Sequence, residues 1–377
     1  MENKKYLFVT HRTYDKGRAK LAGIDQIISC LDASRIFLIE HPFESDYYYS
    51  FLKYKFNSDY QELKKIVLWP RVAPWRWLTE IFCNCLWVSQ LKKTENITII
   101  FAVDALNAFS FVLLKLFIRD LKIYFFSADY SDRRFKNYFF NLFYNFIYNL
   151  SLKFSDKIIT VSRRTREFLE SRHPRKIIFL PNSPLFNGVS KLEPSAKNKY
   201  SLVFCAGRLT ERVNFEGILQ ALIILKNFFP DIVLNLIGKA NEKVAASIQD
   251  NGLLHNVKIY DFLSHDQTVK IISESYIGIS FYSSEISHVF WGDSLKIREY
   301  AAAGLPTVCD GITSTADEMA EYRAGFIVRS PEEMAEKIKK LINERFFYNE
   351  TRKSALRWAE EKDKSRLVKQ LIDNEQI

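Results

Sequence analysis

The segment from Ser294 to Gly304 combines residue types that could bind an anionic ligand, and it reads Ser-Leu-Lys-Ile-Arg-Glu-Tyr-Ala-Ala-Ala-Gly. The pattern predicts a helix that begins near Ser294 and ends at Gly304. A helix start carries unpaired N–H groups and about half a positive charge, so it can bind phosphate oxygens. Lys296 adds a full charge, and Glu299, one turn later, can accept hydrogen bonds from vicinal hydroxyls. A phosphate and a diol one turn apart describe a nucleotide.

A second polar loop, Gly207-Arg208-Leu209, follows the predicted strand 201–206. Glycine lets the backbone approach a ligand closely, and an arginine beside it can pair with a phosphate. This loop is a weak signal by itself. It gains meaning because ligands of open parallel sheets bind at the carboxyl ends of the strands.

A carboxylate, Asp129, directly follows the predicted strand 122–127. A carboxylate with limited solvation at the rim of a sheet can accept a proton from a sugar hydroxyl, so Asp129 is our candidate general base. The alternative is that Asp129 caps the next helix, although Asp132 is better placed for capping.

The first predicted strand, 6–10, leads into a polar and basic loop that runs from His11 to Arg18. The loop lacks the glycine spacing of a dinucleotide fingerprint, so a dinucleotide cofactor is not predicted. His11 has an alternative role as a capping or solvated residue.

These loops need a framework of parallel strands, and strand-like strings alternate with helical patterns along the whole chain. The predicted strands cover residues 6–10, 35–41, 66–69, 97–102, 122–127, 157–161, 176–180, 201–206, 232–237, 257–262, 276–282, 307–310 and 325–328. A polar stretch from Pro181 to Tyr200 is the best linker candidate. We therefore predict an α/β protein with a first domain at 1–185, a second domain at 186–350 that carries the candidate nucleotide-binding loops, and a helical tail at 351–377, which either crosses back to the first domain or docks on its own.

The composition is that of a globular chain, with 377 residues, 47% of them hydrophobic, and only five cysteines. Sparse cysteines in apolar strings indicate reduced thiols in a cytoplasmic protein, and no metal site follows from them. The amino terminus has too short an apolar string for a signal peptide. The apolar run 97–118 contains Asp104, Asn107 and Lys115, so it predicts a buried strand and a packed helix rather than a membrane span.

The net charge of +10 is concentrated in the first half of the chain. Residues 1–190 contain 29 Lys and Arg against 18 Asp and Glu, whereas residues 191–377 contain 25 against 26. Within 133–148, positive charges near the start lie among many aromatic residues, as at an interface with anionic lipid headgroups. The alternative is a core helix with a charged outer face. The neutral second half and the lack of a recognisable module argue against nucleic-acid binding.

The pattern Ser294-x-Lys296-x-x-Glu299-Tyr300-x-x-x-Gly304-x-Pro306 resembles the donor-site signature of GT-B glycosyltransferases. The resemblance implies two Rossmann-like domains, an acceptor bound by the first domain, a nucleotide sugar bound mainly by the second domain, and no metal ion. Within this fold, the chain is similar to the xanthan-assembly β-glucuronosyltransferase type, which is inverting and membrane-associated. The similarity lies in His11 with Arg18-Ala19, in Ser127-Ala128-Asp129, and in the stretches 277–282 and 293–296.

The resemblance also implies roles for individual residues. It makes Asp129 the catalytic base and Lys296 the ligand of the diphosphate. It places Leu209 and Leu295 near the uracil or the sugar, Glu299 on the ribose side and Tyr282 in the pocket wall, with Gly207, Arg208 and Ser294 completing the donor site and His11 and Arg18 on the acceptor side.

The chain departs from retaining GT-B enzymes, because Trp291 stands where many of them carry a glutamate and Val213 where they carry a lysine. We therefore expect an inverting transfer of a sugar, UDP-linked, to a lipid-linked or cell-surface glycan at the inner face of the cell membrane. Two alternatives stay open. One is a retaining GT-B glycosyltransferase, and the other is a soluble nucleotide-sugar epimerase of the same architecture.

Overall fold

The computed structural model describes most of the chain. The described residues are 5–15, 18–19, 23–31, 35–43, 48–56, 59–69, 75–128, 130–131, 134–174, 176–209, 213–261, 263–282 and 287–375. The chain divides into two compact units. Unit 1 contains residues 1–180 and 367–377, and unit 2 contains residues 181–366.

Unit 1 is built on an eight-stranded sheet with helices on its faces. Its strands are β1 (Lys5–Arg12), the short pair β2 (Tyr14–Asp15) and β3 (Arg18–Ala19), β4 (Arg35–Pro42), β5 (Tyr49–Phe56), β6 (Asp59–Val67), β7 (Ile99–Val103), β8 (Lys122–Ser127), β9 (Lys157–Thr160) and β10 (Ile177–Phe179). Its helices are α1 (Gly23–Ser29), α2 (Trp75–Glu95), α3 (Ala105–Leu114), α4 (Tyr138–Phe154) and α5 (Arg163–Glu170).

The strand order in the main sheet of unit 1 is β10-β9-β8-β7-β1-β4-β5-β6. The strands from β10 to β4 are parallel, but β5 and β6 form an antiparallel hairpin on β4. The expectation of a wholly parallel sheet with one strand at 66–69 was therefore wrong here. The residues of β6 are mostly exposed and four of the nine are charged, as suits an edge strand, so β6 lacks the apolar string by which buried strands are recognised.

Unit 2 contains a second, wholly parallel sheet in the order β13-β12-β11-β14-β15-β16. Its strands are β11 (Ser201–Arg208), β12 (Val233–Lys239), β13 (Val257–Tyr260), β14 (Ile277–Ser280), β15 (Thr307–Cys309) and β16 (Gly325–Ile327). Its helices are α6 (Phe215–Lys226), α7 (Glu242–Asp250), α8 (His265–Glu274), α9 (Ser287–Trp291), α10 (Leu295–Ala302), α11 (Ser314–Glu321), α12 (Pro331–Asn343) and α13 (Arg345–Glu361).

Both sheets reverse their strand order next to their first strand. In unit 2 the order is that of the Rossmann fold, and the reversal lies between β11 and β14. In unit 1 the reversal lies between β1 and β7. Helices that leave neighbouring strands on opposite faces open a crevice at such a point, and ligands bind there, outside the carboxyl ends of the strands. The topology therefore predicts that ligands bind at the carboxyl edge of each sheet, beside the reversal point.

The last helix, α14 (Lys364–Glu375), extends across the division between the units. Val368 and Leu371 are buried in unit 1 in the same hydrophobic cluster as Tyr6 and Phe8 of β1. Helix α13 begins before the predicted tail 351–377 and ends inside it. This helix instead packs in unit 2, where Trp358 is buried against α10. Among the described helices, none is long and apolar enough to cross a membrane.

Candidate functional site

The start of α10 lies beside the reversal point of the unit 2 sheet. Ser294 precedes the helix, but its side chain makes no capping hydrogen bond, and its buried Oγ has no partner among the described residues. Its backbone N–H is instead donated to Thr315 Oγ1 at 2.6 Å. Because Ser294 does not cap the helix, its side chain leaves the N–H groups of the first turn to other acceptors.

Two charged residues follow on α10. Lys296 is half-buried, whereas Glu299 is 5% exposed and has His265 of α8 at 3.9 Å from its carboxylate. Burial raises the pKa of Glu299, although the charges of Lys296 and His265 oppose this shift. A buried carboxylate with few bonds of its own is a strong acceptor for hydroxyl groups that enter the site.

Close packing against β14 fixes the orientation of α10. A Cβ atom on Gly278 would lie 2.4 Å from the ring of Tyr300, so only glycine permits this approach of helix and strand. The Tyr300 hydroxyl accepts a hydrogen bond of 2.9 Å from the N–H of Cys205 on β11. Helix α10 is thus tied to both strands that flank the reversal point.

The loop after β14 is also fixed at its base. The N–H of Tyr282 donates to a carboxylate oxygen of Asp310, whose other oxygen accepts from Ile312 N–H at 2.9 Å. Tyr282 also pairs with Val213 in an isolated bridge. Burial raises the pKa of Asp310 to about 6, although the backbone N–H bonds oppose the shift. The half-buried side chain of Tyr282 therefore stands on an anchored backbone.

The remaining predicted donor residues lie at the ends of β11 and at the start of α10. Gly207 and Arg208 are the last residues of β11, and the Arg208 side chain lies outside the described part. Leu209 donates its N–H to Lys239 O at 3.1 Å, and its side chain belongs to the hydrophobic core of unit 2. Leu295 is the half-buried first residue of α10.

At the reversal point of the unit 1 sheet, His11 of β1 lies between two carboxylates. Its Nδ1–H donates to Asp104 Oδ2 at 2.5 Å, and its Nε2–H donates to Glu80 Oε2 at 3.2 Å. Glu80 is fully buried on α2 and also pairs with Arg76 at 3.0 Å. Burial alone would lower the pKa of His11, but the charges of Asp104 and Glu80 outweigh it and raise this pKa to about 10. His11 is therefore an imidazolium.

Asp104 has a fixed conformation between β7 and α3. Its backbone φ is 71°, a region that L residues rarely adopt. Oδ1 caps α3 by accepting the N–H groups of Leu106 and Asn107, and Oδ2 accepts from His11 and from the Asn107 side chain. The strained backbone thus supports a carboxylate with four donors, a common arrangement at functional sites.

A buried polar chain supports this cluster from behind. His41 of β4 bonds to Ser50 and to Asn84, and Asn84 donates to Asn107 at 3.0 Å. Burial lowers the pKa of His41 to about 4, so this imidazole is neutral although its ring centre is 5.5 Å from that of His11. Sequence analysis named His11 but missed Glu80, Asp104 and His41, because they lie far apart in the chain.

Two adjoining cavities open beside His11 and Asp104. One measures about 190 Å³, and Ser127, Ala128 and Tyr148 contribute to its wall. The other measures about 240 Å³, and aromatic side chains line much of it, among them Phe43, Trp77, Phe135 and Tyr144. Arg134 borders both cavities.

Two predicted residues of unit 1 lie wholly or partly outside the described residues. Asp129, the candidate base, lies outside the described residues, although Ser127 and Ala128 immediately before it line the smaller cavity. Arg18 has a described backbone in β3, but its side chain is not described. Within the ranges given above, no set of three or more His, Cys, Asp or Glu side chains is arranged to hold a metal ion.

Comparison with known proteins gives matches in sequence and in fold. Residues 190–364 match the family model of the glycosyl transferases group 1. A curated relative, the UDP-glucuronate:glycolipid 2-beta-glucuronosyltransferase of Xanthomonas campestris pv. campestris, is 31% identical over 88 residues, which are 23% of this chain and 20% of that protein. The matched segment thus spans about a fifth of the relative.

Two solved structures illustrate the similarity in fold. Anabaena HepE in complex with UDP superposes with a TM-score of 0.68 at 16% identity, covering 98% of this chain and 99% of that chain. The pneumococcal O-GlcNAc transferase GtfA in complex with UDP and GlcNAc superposes with a TM-score of 0.58 at 14% identity, covering 89% and 65%. The predicted fold is confirmed. This chain has the GT-B fold, and the segment that matches the glycosyl transferases group 1 model lies within unit 2.

Proposed function

We propose that this protein transfers a sugar from a nucleoside-diphosphate sugar, UDP-linked, to a hydroxyl of a lipid-linked or cell-surface glycan, with inversion and without a metal ion. The observation that carries the proposal is the start of α10, where an uncapped first turn, Lys296 and the buried Glu299 follow one another within five residues. Structural neighbours that contain UDP support the choice of nucleotide.

In the proposed reaction, an acceptor hydroxyl oxygen attacks the anomeric carbon of the donor sugar. Asp129 takes the hydroxyl proton, and the bond between the anomeric carbon and the diphosphate oxygen breaks. The nucleoside diphosphate leaves with an additional negative charge. Lys296, Arg208 and the N–H groups at the start of α10 stabilise that charge, because fixed dipoles and cations need no reorganisation during the reaction.

The donor nucleotide fits the remaining features of unit 2. Glu299 accepts hydrogen bonds from the ribose hydroxyls, and its buried carboxylate gains partners when the nucleotide binds. Tyr282 lines the pocket from an anchored backbone. On the acceptor side, His11 and Arg18 contribute to binding, and the aromatic walls of the cavities beside His11 suit the apolar faces of sugar rings.

We further propose that unit 1 lies on an anionic membrane surface at the inner face of the cell membrane. Helix α2 exposes an apolar stripe, and α4 exposes a second one; the exposed residues are Trp75, Leu78, Phe82 and Leu86 on α2, and Tyr138, Phe139, Leu142, Phe143 and Phe146 on α4. Trp77 stacks on Phe143 with ring centres 6.5 Å apart, so the stripes adjoin. Exposed Lys136 precedes α4 by two residues, and exposed Lys153 lies in the last turn of α4.

An exposed apolar surface with basic residues at its border is typical of proteins that bind the interface of anionic membranes. In a vesicle sedimentation assay, we expect binding to anionic vesicles and little binding to neutral ones. The variant with Phe139, Phe143 and Phe146 all changed to serine should lose at least tenfold in affinity, because each buried phenylalanine contributes about 2 kcal/mol. Phe346→Ser, an exposed aromatic change in unit 2, serves as the control. Equal binding of both variants would contradict the membrane proposal.

The sugar-transfer proposal is tested with labelled nucleotide sugars and a membrane lipid extract as acceptor. A thermal-shift screen of UDP and GDP sugars first selects the donor, since a ligand at 100 times its Kd adds about 2.7 kcal/mol. We expect stabilisation by a UDP sugar and a labelled lipid product of inverted anomeric configuration. A product of retained configuration would indicate the retaining alternative, and a new epimer formed without acceptor would indicate an epimerase.

A further inference from the structure

Arg298 lies on α10 between Lys296 and the end of the helix, but it faces the interior of unit 2. Its side chain is 3% exposed. Its guanidinium donates to Asp293 at 2.9 Å and to Glu318 of α11 at 2.7 Å, and it lies 5.1 Å from the centre of the Trp358 ring. A buried cation with two carboxylates and an aromatic face is expensive to assemble, so it indicates a positional requirement.

The carboxylate of Glu318 is held in its charged form. Burial would raise the pKa of Glu318, but Arg298 and, secondly, Lys362 lower it below its usual range. Lys362 Nζ lies 3.3 Å from the second carboxylate oxygen of Glu318. The cluster therefore balances two carboxylates with two cations.

Asp293 connects the cluster to Ser294, which precedes α10. Its Oδ1 accepts the Thr315 hydroxyl proton at 2.6 Å. The same Thr315 oxygen accepts the N–H of Ser294 at 2.6 Å. Thr315 thus uses its only proton on Asp293 and a lone pair on Ser294, which fixes the peptide that leads into α10.

The cluster also reaches the two segments through which the chain enters and leaves unit 2. Asp293 Oδ2 accepts the N–H of Asn182 at 2.6 Å, in the first segment. Lys362 belongs to the second segment, and Lys364 Nζ joins the two by donating to Pro181 O at 2.6 Å. One hydrogen-bonded path therefore runs from the start of α10 to both segments.

We propose that Arg298 and Thr315 are positioning residues of the donor site, and that they couple nucleotide binding at α10 to the order of the segment around Asn182. This inference rests on the proposed function, because it requires a nucleotide diphosphate at the start of α10. Coupling is reciprocal: if the network orients the helix start for the diphosphate, the diphosphate must in turn stabilise the network. UDP should then slow hydrogen exchange at the Asn182 amide.

Thr315→Val tests the coupling with little risk to folding, since it keeps the side-chain shape and leaves the Arg298 ion pairs in place. We expect a loss of about three- to tenfold in UDP affinity by calorimetry. We also expect UDP to slow exchange at Asn182 in the wild-type chain but much less in the variant. Thr351→Val is the matched control, because its buried hydroxyl donates to Phe347 O within α13.

Arg298→Lys supplies a second, independent test. Lysine keeps the charge but lacks the planar fork that pairs with two carboxylates, so UDP affinity should also fall. Wild-type UDP affinity and wild-type protection of Asn182 in Thr315→Val would overturn the inference and leave the proposed function standing. Absence of UDP binding to the wild-type chain would overturn the proposed function and this inference with it.

Discussion

The carboxyl edges of the two sheets treat their polar groups in opposite ways. At the unit 1 edge, His11 and Asp104 satisfy one another and their neighbours, so both imidazole nitrogens and both carboxylate oxygens have partners. At the unit 2 edge, Ser294 Oγ has no described partner. The buried carboxylate of Glu299 lies 3.9 Å from His265 Nδ1, which is too far for a hydrogen bond. Unit 1 presents an assembled ionic cluster, whereas unit 2 presents groups that a ligand can complete.

This difference between the two sheet edges indicates where a ligand can gain binding energy. Buried polar groups that lack partners carry a cost, and a ligand that supplies those partners removes it. His11 and Asp104 already have hydrogen-bond partners, so they gain little from additional hydrogen bonds. His11 should therefore contribute to acceptor binding mainly by fixing the geometry of the cavity walls. We therefore expect substitutions at the unit 1 cluster to affect mainly stability, and substitutions at the start of α10 to affect mainly nucleotide binding.

The largest expected effect concerns Asp129, the residue proposed to act as the catalytic base. Asp129→Asn removes the proposed base and should lower turnover by about 10³-fold with UDP affinity retained, because general-base catalysis contributes on that scale. Single-turnover rates and UDP calorimetry measure both quantities. Asp132→Asn is the neighbouring control, and turnover equal to wild type in Asp129→Asn would remove this residue from the mechanism.

Removal of the central cation should destabilise unit 1. His11→Gln leaves the buried carboxylate of Glu80 with one partner fewer, and losing one member of a buried ion cluster costs about 3 kcal/mol. Chemical denaturation of wild type and variant measures the difference. UDP affinity should stay unchanged, since the nucleotide site belongs to unit 2; a stable His11→Gln protein would contradict the structural role of the cluster.

The two edges should also respond oppositely to acid. The neutral His41, with a pKa of about 4 against 6.5 in the unfolded chain, gives a contribution to stability that is present above pH 6.5 and lost as the pH falls toward 4. Asp310, with a pKa of about 6 against 3.8, binds its proton more readily when folded, so acidification across this range favours folded unit 2. Each effect amounts to about 3 kcal/mol.

His11 should make the stability of unit 1 decrease at alkaline pH. Its pKa of about 10 gives stability that is complete below pH 6.5 and lost as the pH rises through 10. Hydrogen exchange at different pH values, read separately for the two units, measures all three effects. His41→Gln should reduce the loss of stability of unit 1 on acidification and leave that of unit 2 unchanged. An unchanged pH dependence of unit 1 stability in this variant would contradict the assignment.

The smallest expected effect concerns Lys296, at the start of α10 in unit 2. Lys296→Ala removes one cation from the diphosphate site and should weaken UDP binding by about tenfold, because charge-assisted bonds contribute about 1.5–3 kcal/mol and the helix start remains. Lys353→Ala, an exposed change on α13, is the control. Stability should be unaffected in both variants, and an unaltered UDP Kd in Lys296→Ala would count against the site.

The sequence was most informative where the relevant residues are contiguous. The GT-B fold and the position of α10 follow from local patterns, since helix start, lysine and glutamate fall within six residues. The unit 1 cluster joins positions 11, 80 and 104, whose proximity depends on the order of strands in the sheet. Such tertiary pairs leave no periodic signal. Most of the edge strand β6 was not predicted for a different reason, because its residues are mostly exposed and include several charges.

The return of α14 to unit 1 has a consequence for how the protein is made. Val368 and Leu371 contribute to the same core as β1, yet the ribosome adds them nearly the whole chain length later. Domains generally fold as units during synthesis, starting from the amino terminus. The nascent unit 1 must therefore wait, with part of its core uncovered, until translation of unit 2 is finished.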